Sequence, residues 1–385
     1  MTAVPRLFAL LAATLLLMMP LTMQNTLAAS PEEFLVFVGS YTGGGESQGI
    51  YSFRFDPKTG KSRDLKVAAE VTNPSFLAIH PDGRHLYSVS EVDGEGGISA
   101  FEINAAEGTL KHLNATSTQG GSPCHLVVDK TGSFVLCANY GGGSVCTVPI
   151  REDGTVGEVA CFVQHEGHSV TPGRQDSPHA HSINLDAANK FAFAADLGLD
   201  KVLIYAFDDR SGELTPNDPA AIDIAPGSGP RHFAFHPSGK YAYVINEILL
   251  TVTAMKYDAA RGKLTEIQTI PTIPVAVKPE YSTAEVVAHP SGRFLYGSNR
   301  GHHTIAVFEI DEKTGTLERI QNEPTRGETP RNFNLDPTGR FLFAENQKSG
   351  TIVVFRINQD DGTLHATGDV LEVPRPVCIR MLAVE

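Results

Sequence analysis

The sequence predicts an all-β fold in which one small antiparallel sheet is repeated seven times. Three observations predict it. A glycine turn recurs at a nearly constant spacing, a second turn alternates with it, and the chain beyond residue 30 shows no long apolar stripe at helical spacing. The 385 residues are 41% hydrophobic and 19% charged, which is typical of a folded globular protein.

The first turn occurs in seven copies, of which Thr314-Gly315-Thr316-Leu317 is representative. Successive copies are 46 to 58 residues apart, close to the ~40–50 residues of one four-stranded sheet in a radial array. The turn glycines are Gly60, Gly108, Gly154, Gly212, Gly262, Gly315 and Gly362. Each copy therefore marks the outer part of one repeat.

The second turn joins two apolar runs and occurs in six copies, such as His236-Pro237-Ser238-Gly239 between runs 231–235 and 241–246. Proline presets the first central torsion and glycine accepts the left-handed one, so each copy predicts a hairpin. The other copies start at His80, Asp129, Asp186, His289 and Asp336. A seventh copy is missing before Gly60, where residues 34–41 match only the second strand of the repeat.

The missing first strand is found at the other end of the chain. Residues 374–384 (PRPVCIRMLAV) match the starts of the other repeats, for example Gly229-Pro230-Arg231-His232-Phe233. One sheet assembled from both termini closes a ring without free sheet edges. The sequence thus predicts a seven-bladed β-propeller with four-stranded antiparallel blades, formed as a single domain by residues 30–385.

Residues 1–29 have the pattern of a secretory signal peptide. Arg6 is the only charge before the apolar run 7–19, which is shorter than the ~20 residues that span a membrane. The small residues Thr26 and Ala28 permit cleavage after Ala28, with Ala29 as the alternative. We therefore expect export to the periplasm or the medium, without a membrane anchor after cleavage.

Charge and cysteine content limit the partners. The net charge is −13 and there is no lysine or arginine run, so nucleic acid is not expected as a partner. Five cysteines cannot all pair, and buried free thiols are the favoured interpretation. Cys137 and Cys146 flank a glycine turn and leave one disulfide open as an alternative. Oligomeric state is not specified by the sequence.

The channel-facing ends of the inner strands are where chemistry is expected. Aligned by their hairpins, the first-strand starts and second-strand ends diverge into His, Arg, Glu and Asp, whereas the turns stay nearly uniform. In this alignment Asp196 takes the same second-strand position as Glu247 and Arg300, and Glu285 lies one residue after a first-strand start. Such side chains are costly to bury unless they are paired or used. The set His181, Arg231, Glu247 and Arg300 is the main candidate site.

Five motifs surround these candidate residues: Ser177-Pro178-His179-Ala180-His181-Ser182, the run 195–202, Gly229-Pro230-Arg231-His232-Phe233, Val244-Ile245-Asn246-Glu247 and Ser298-Asn299-Arg300-Gly301. Together they resemble the seven-bladed β-propeller lactonase family, which includes bacterial 6-phosphogluconolactonases of the propeller type and fungal 3-carboxy-cis,cis-muconate lactonizing enzymes. The resemblance spans essentially the whole chain beyond the leader and is most specific over residues 179–201.

The resemblance implies a lactone hydrolase acting on a small lactone or anionic sugar. No cofactor is expected, and no metal, since the sequence has no Cys-x-x-Cys motif and no His-rich metal spacing. The resemblance places the catalytic histidine in the His179/His181 motif, with His181 preferred by register, and the other catalytic residues at Arg231, Glu247 and Arg300. A neutral histidine can activate water, and arginines can stabilise the oxyanion and a substrate anion. Substrate-binding residues are expected among His179, Asp196, His125, His232 and Arg331.

Three alternatives stay open at this point. The same pocket suits an isomerase of the muconate-cyclising kind, which binds a carboxylated substrate and moves a proton. An exported propeller can also be a binding module without enzymatic activity. A calcium-dependent lactonase is disfavoured because no Asp/Asn loop cluster is present, although channel ligands from separate blades would not be visible in the sequence.

Overall fold

The computed structural model describes residues 1–3, 31–94 and 96–384, and within them it contains only β-strands as regular elements. The predicted signal peptide lies almost entirely outside these residues. Pro31–Glu385 forms one compact unit. In the part of the chain that is described, no helix is long and apolar enough to cross a membrane.

The described residues form twenty-eight strands in seven four-stranded antiparallel sheets, which confirms the predicted propeller. In chain order they are β1 (Glu33–Ser40), β2 (Gly49–Asp56), β3 (Lys61–Glu70), β4 (Leu77–Ile79), β5 (His85–Ser90), β6 (Gly97–Asn104), β7 (Thr109–Ser117), β8 (Pro123–Val128), β9 (Phe134–Asn139), β10 (Ser144–Pro149), β11 (Cys161–Gln164), β12 (Ala180–Leu185), β13 (Phe191–Asp196), β14 (Lys201–Phe207), β15 (Leu214–Asp223), β16 (Pro230–Phe235), β17 (Tyr241–Asn246), β18 (Thr251–Asp258), β19 (Lys263–Pro271), β20 (Ser282–Ala288), β21 (Phe294–Arg300), β22 (Thr304–Ile310), β23 (Leu317–Pro324), β24 (Pro330–Leu335), β25 (Phe341–Asn346), β26 (Thr351–Ile357), β27 (Leu364–Glu372) and β28 (Pro376–Val384).

Blade one combines the two ends of the described chain, in the strand order β28-β1-β2-β3. The pairing of β1 with β28 runs from Glu33 opposite Val384 to Ser40 opposite Pro376. Blades two to seven use consecutive strands, beginning with β4, β8, β12, β16, β20 and β24. Each first strand contacts that of the next blade around the whole ring, so the predicted closure by both termini is confirmed.

Packing between blades explains why the outer turns are uniform. All seven turn glycines have a positive φ, between 63° and 81°. A Cβ on Gly362 would lie 2.4 Å from Phe294, an aromatic residue at the second-strand start of the preceding blade. Aromatic clusters fill the remaining space, as where Phe55 and Phe343 meet edge to face at 4.8 Å. The repeated glycine is therefore required by blade-to-blade packing.

The five cysteines are free in the structure. Cys137 and Cys146 lie opposite each other on β9 and β10, as the sequence predicted for the hairpin, and both are buried. Burial raises the pKa of the Cys137 thiol well above its usual value, which keeps it neutral. The structure thus agrees with the interpretation of these residues as buried thiols.

Candidate active site

A polar pocket lies at one mouth of the central channel, where first strands begin and second strands end. Pro230 at the start of β16 pairs with Asn246 at the end of β17, so Arg231 and Glu247 lie at the same end of blade five. Other blades bring their equivalent residues to the same place. The pocket is lined by Tyr41, Ser75, Phe76, Glu91, Cys124, His181, Arg231, His232, Arg331, Asn332 and Val377.

Glu247 binds three arginines beside this pocket. Its Oε2 accepts from Arg231 Nε at 2.9 Å and lies 2.8 Å from Arg300 Nη2, while Arg174 Nη2 donates to Oε1. Backbone carbonyls take further guanidinium protons: Arg231 donates to Ala284 O and Arg300 donates to Thr283 O. The predicted residues Arg231, Glu247 and Arg300 therefore form one buried network.

The electrostatics of this network keep the carboxylate ionised. Burial alone would raise the pKa of Glu247, but Arg300, Arg231 and Arg174 outweigh it and hold that pKa far below its usual value. Burial lowers the pKa of Arg300 to about 10, so its guanidinium stays protonated at neutral pH. Three cations around one anion leave the mouth with a local positive charge despite the acidic chain.

His181 lies in the same pocket, near the start of β12, and is 5% exposed. Its Nδ1 is 3.7 Å from the Cys124 sulfur, and its Nε2 has no hydrogen-bond partner among the described residues. Burial, together with the charge of Arg231, lowers the pKa of His181 well below its usual value. The imidazole is therefore neutral at pH 7, the state in which it can accept a proton.

Arg331 enters the pocket from blade seven with its guanidinium 5.4 Å from the centre of the Tyr41 ring. Among the described residues it makes no ion pair and no side-chain hydrogen bond. The neighbouring Glu91 carboxylate instead accepts from the Tyr41 hydroxyl at 2.7 Å and from Ser75. Of the two arginines that line the pocket, Arg231 is paired with Glu247, so Arg331 is the one without an ion pair among the described residues.

His232 forms the floor of the pocket, oriented by a carboxylate. Its Nδ1 is 2.8 Å from Glu285 Oε1, and Asn332 donates to the other Glu285 oxygen. The buried His232 Nε2 has no partner among the described residues. Burial is the main cause that lowers the pKa of His232, so Nδ1 carries the proton donated to Glu285 and Nε2 keeps its lone pair.

A second cavity of about 150 Å³ continues the channel below this floor. The predicted residue His125 lines it, with its ring 4.2 Å from Phe76 and 5.3 Å from His232. Arg380 of β28 lies over Phe76 at the same level. His125 therefore lies one layer beneath the pocket that holds His181 and Arg231.

Asp196 does not belong to the position at which the sequence alignment placed it. We aligned it with Glu247 and Arg300, but it pairs with Ala180 as Asn246 pairs with Pro230, one residue earlier in the repeat. Its carboxylate is fully buried and accepts from His165 Nδ1 at 2.6 Å and from three backbone N–H groups. Asp196 thus closes a turn and does not line the pocket.

His179 lies at the rim. Its ring stacks on Tyr140 at 4.6 Å, and its Nδ1 donates to the Tyr140 carbonyl at 2.9 Å. Of the two histidines in the motif, His181 is the one that lines the pocket. The structure therefore agrees with the preference for His181, while the role of each histidine remains a prediction.

Two contributors were not identified from the sequence. Arg174 comes from the irregular segment between β11 and β12, which has no counterpart in the repeat, so alignment of the blades gave no signal for it. Glu285 was not among the candidate residues. Its position in the repeat is equivalent to that of His232 in the adjacent blade, and this could have indicated that the two side chains meet.

Comparison with known proteins places the chain in a family. The family model described as "Lactonase, 7-bladed beta-propeller" matches residues 35–381. A 6-phosphogluconolactonase of Bacillus subtilis is 38% identical over 91% of this chain and 99% of its own, and one of Formosa agariphila is 37% identical over 78% and 86%. The structure of the periplasmic gluconolactonase PpgL of Pseudomonas aeruginosa covers 92% of this chain and 100% of its own, at 31% identity and a TM-score of 0.86. The chain belongs to the seven-bladed β-propeller lactonase family.

Proposed function

We propose that this protein hydrolyses the ester bond of an aldonolactone, with 6-phosphoglucono-1,5-lactone or its unphosphorylated counterpart as substrate. The observation that carries the proposal is a neutral, buried His181 in a pocket also lined by Arg231, whose guanidinium is held by Glu247 in the arginine network beside that pocket. Family membership and relatives named 6-phosphogluconolactonase and gluconolactonase support the same reaction class.

In this mechanism His181 is the general base. Its Nε2 takes a proton from a water molecule, and the water oxygen forms a bond to the lactone carbonyl carbon. The tetrahedral intermediate then expels the ring oxygen, which receives the proton from the imidazolium. The products are a hydroxyl group and a carboxylic acid, which releases its proton to solvent at neutral pH. Catalysis of this kind contributes roughly 10²–10⁴-fold.

Arginine supplies the charge stabilisation. Arg331 has no ion pair among the described residues, so its guanidinium is available to the carbonyl oxygen or to an anionic group of the substrate. Arg231 keeps one terminal nitrogen free, since Nε binds Glu247 and Nη1 binds Ala284 O. These donors would stabilise negative charge as it develops on the oxyanion.

Glu247 is assigned as a positioning residue. Its carboxylate is held by Arg231, Arg300 and Arg174 and has no proton to give at neutral pH. Its role in the mechanism is to fix the directions of the guanidinium groups. The same assignment covers Glu285, which fixes the tautomer of His232 at the pocket floor.

Export is part of the proposal. The leader-like pattern of residues 1–29 supports it, as does the likeness to a periplasmic gluconolactonase. An exported enzyme would meet unphosphorylated aldonolactones formed outside the cytoplasm. We therefore assign glucono-1,5-lactone as the first substrate to test, with the 6-phosphate as the direct comparison.

The test is the hydrolysis of glucono-1,5-lactone and its 6-phosphate by purified protein, together with the loss of a muconate chromophore. Lactone opening by the wild-type protein, lost in His181→Ala, supports the proposal. His236→Ala is the matched control, because His236 is a buried histidine like His181 but lies in the turn after the far end of β16, bound to Gly292 O. Activity on muconate alone, or on no substrate, would overturn it.

A further inference from the structure

The hairpin between β4 and β5 in blade two differs from its sister hairpins at the end of the channel opposite the mouth. Five residues after the first turn residue, the other internal hairpins carry an aromatic ring that packs against the outer glycine turn of the following blade. These rings are Phe134, Phe191, Tyr241, Phe294 and Phe341. Blade two has His85 at this position, packed against Gly154 in the same way.

A second difference falls in the same turn. Two residues after the first turn residue, four of the sister hairpins have a hydroxyl side chain: Thr131, Ser238, Ser291 and Thr338. Blade two has Asp82 there. The repeat acts as an internal control, since the other blades show what hairpin folding requires, and neither Asp82 nor His85 is needed for that.

The first turn residue, His80, follows the pattern of its sisters. Its Nε2 donates to Gly132 O at 2.9 Å, as His236 and His289 donate to Gly292 and Gly339. In the sister turns Nδ1 lies 2.7–2.8 Å from a serine hydroxyl, which can donate to it. In blade two Nδ1 lies 2.9 Å from Asp82 Oδ1, while the Asp82 N–H already donates to it at 3.1 Å.

In this arrangement two hydrogen-bond acceptors, His80 Nδ1 and Asp82 Oδ1, face each other. With Nε2 protonated for Gly132 O and Nδ1 accepting an N–H, the Nδ1 lone pair faces a carboxylate oxygen without a proton between them. On the other side, His85 Nδ1 is 2.9 Å from Asp82 Oδ2. A cation bound between the imidazole and the carboxylate would convert the repulsive contact into a favourable one.

The three ligand atoms are already gathered. One nitrogen from each histidine and one oxygen of Asp82 all lie within 4.8 Å of one another, and among the described residues no other such group is found. The side chains are only 12–21% exposed, at the edge of an open depression of about 270 Å³ that leaves room for water. Arg84, with 76% of its side chain exposed, lies 3.4 Å from Asp82 but is free to turn away.

We propose that His80, Asp82 and His85 form a binding site for a divalent transition metal ion, with Zn²⁺ as the best match. Two imidazole nitrogens and one carboxylate are ligands that zinc accepts, with water in the remaining position. Calcium and magnesium are disfavoured because they prefer oxygen ligands throughout. The site is at the far end of the channel from the lactonase pocket and is independent of the proposed function.

The test is calorimetric titration of chelator-treated protein with ZnCl₂, paired with thermal unfolding. We expect one zinc ion per chain and a raised unfolding temperature, because a ligand that binds only the folded state stabilises it. Asp82→Ser and His85→Phe should each weaken zinc binding at least tenfold. Both substitutions restore residues found in the sister hairpins, so both variants should fold.

Two controls make the outcome decisive. His365→Gln removes an exposed histidine elsewhere and should leave zinc affinity unchanged. Lactone hydrolysis should be the same with or without zinc, and in Asp82→Ser, so failure of one proposal is visible separately from failure of the other. Absence of zinc binding to the wild-type protein, or equal binding by Asp82→Ser and His85→Phe, would overturn the metal site.

Discussion

The outer turns and the inner-strand ends of this propeller recur at equivalent positions in every blade. The outer turns keep the same residue, whereas residues at the inner-strand ends vary. All seven outer turns keep glycine with a positive φ, because a side chain of the preceding blade lies against it and this φ favours glycine. The equivalent position near the start of the first strand differs between blades two to seven, where it holds Ser75, Cys124, His181, Arg231, Ala284 and Arg331. Positions whose residue is required by the fold are the same in all blades. Positions that differ between blades are not constrained by the fold and can hold functional residues.

The largest effect expected at the mouth is the loss of the base. His181→Gln removes the neutral imidazole from the pocket while keeping a polar side chain of similar size. We expect kcat/KM for lactone hydrolysis to fall roughly 10²–10⁴-fold, with little change in unfolding temperature. Initial-rate kinetics and thermal unfolding check this, and full activity in the folded variant would remove His181 from the mechanism.

The pH dependence of kcat/KM is a second test of the role of His181. Because burial lowers the pKa of His181 well below 6.5, the neutral base persists on acidification, and kcat/KM should show no inflection near pH 6.5. The acid limb should lie below that value. An inflection of the wild-type profile at pH 6.5 or above that His181→Gln abolishes would contradict the environment described for this residue.

Loss of the Glu247 carboxylate is the next largest effect. Glu247→Gln leaves Arg231 and Arg300 buried without their anion, which costs about 3–5 kcal/mol in typical buried pairs. Misplacement of the guanidinium groups by ~1 Å would lower kcat on the order of 10²-fold. Chemical denaturation and kinetics measure both quantities. Arg174→Gln, which removes a half-exposed partner, should show a smaller change in stability.

At the outer turns the expected effect is on stability alone. Gly362→Ala forces a left-handed φ of 74° on a residue with a Cβ, at ~1–2 kcal/mol, and places that Cβ 2.4 Å from Phe294, at a further ~1–3 kcal/mol. Gly239→Ala is the matched control: its φ is 68°, but nothing lies within 4 Å of the added atom. Equal losses of unfolding free energy in both variants would rule out the packing explanation.

The smallest effect is a change in acid stability caused by one channel histidine. The pKa of His125 is lowered, chiefly by burial, so the unfolded chain binds more protons below pH 6.5 and stability falls as pH falls through that value. His125→Gln should make this decline shallower by at most about 1.4 kcal/mol per pH unit. Gly239→Ala should keep the wild-type slope. An unchanged slope in His125→Gln would mean that His125 is protonated in the folded protein.

The closed ring of blades could be predicted from the sequence because two turn patterns recur, and local residue preferences determine the conformation of each turn. Proline, glycine and asparagine fix the hairpins whatever surrounds them, and the missing hairpin of blade one directly identified the closing strand from 376–384. Asp196 shows the limit of this approach. A shift of one residue moved it from a turn-closing position, where it binds His165, into an apparent site position.

Residues of the candidate site could be predicted from the sequence, but the contacts between their side chains could not. His181, Arg231 and Arg331 all line one pocket, as their place in the repeat indicated. That Glu247 binds three arginines depends on Arg174, which comes from a segment outside the repeat. That Arg331, unlike Arg231, lines the pocket without an ion pair among the described residues follows from side-chain distances, which no periodicity encodes.

The most direct test measures kcat/KM for glucono-1,5-lactone and the free energy of unfolding side by side in His181→Gln and Gly362→Ala. We predict that the first variant loses at least 100-fold in kcat/KM with a nearly unchanged unfolding free energy. The second should keep its activity and lose stability. The account would be contradicted if Gly362→Ala lost activity while folded and His181→Gln kept it. The outer turns would then not be limited to stability, and the pocket at the channel mouth would not carry the activity.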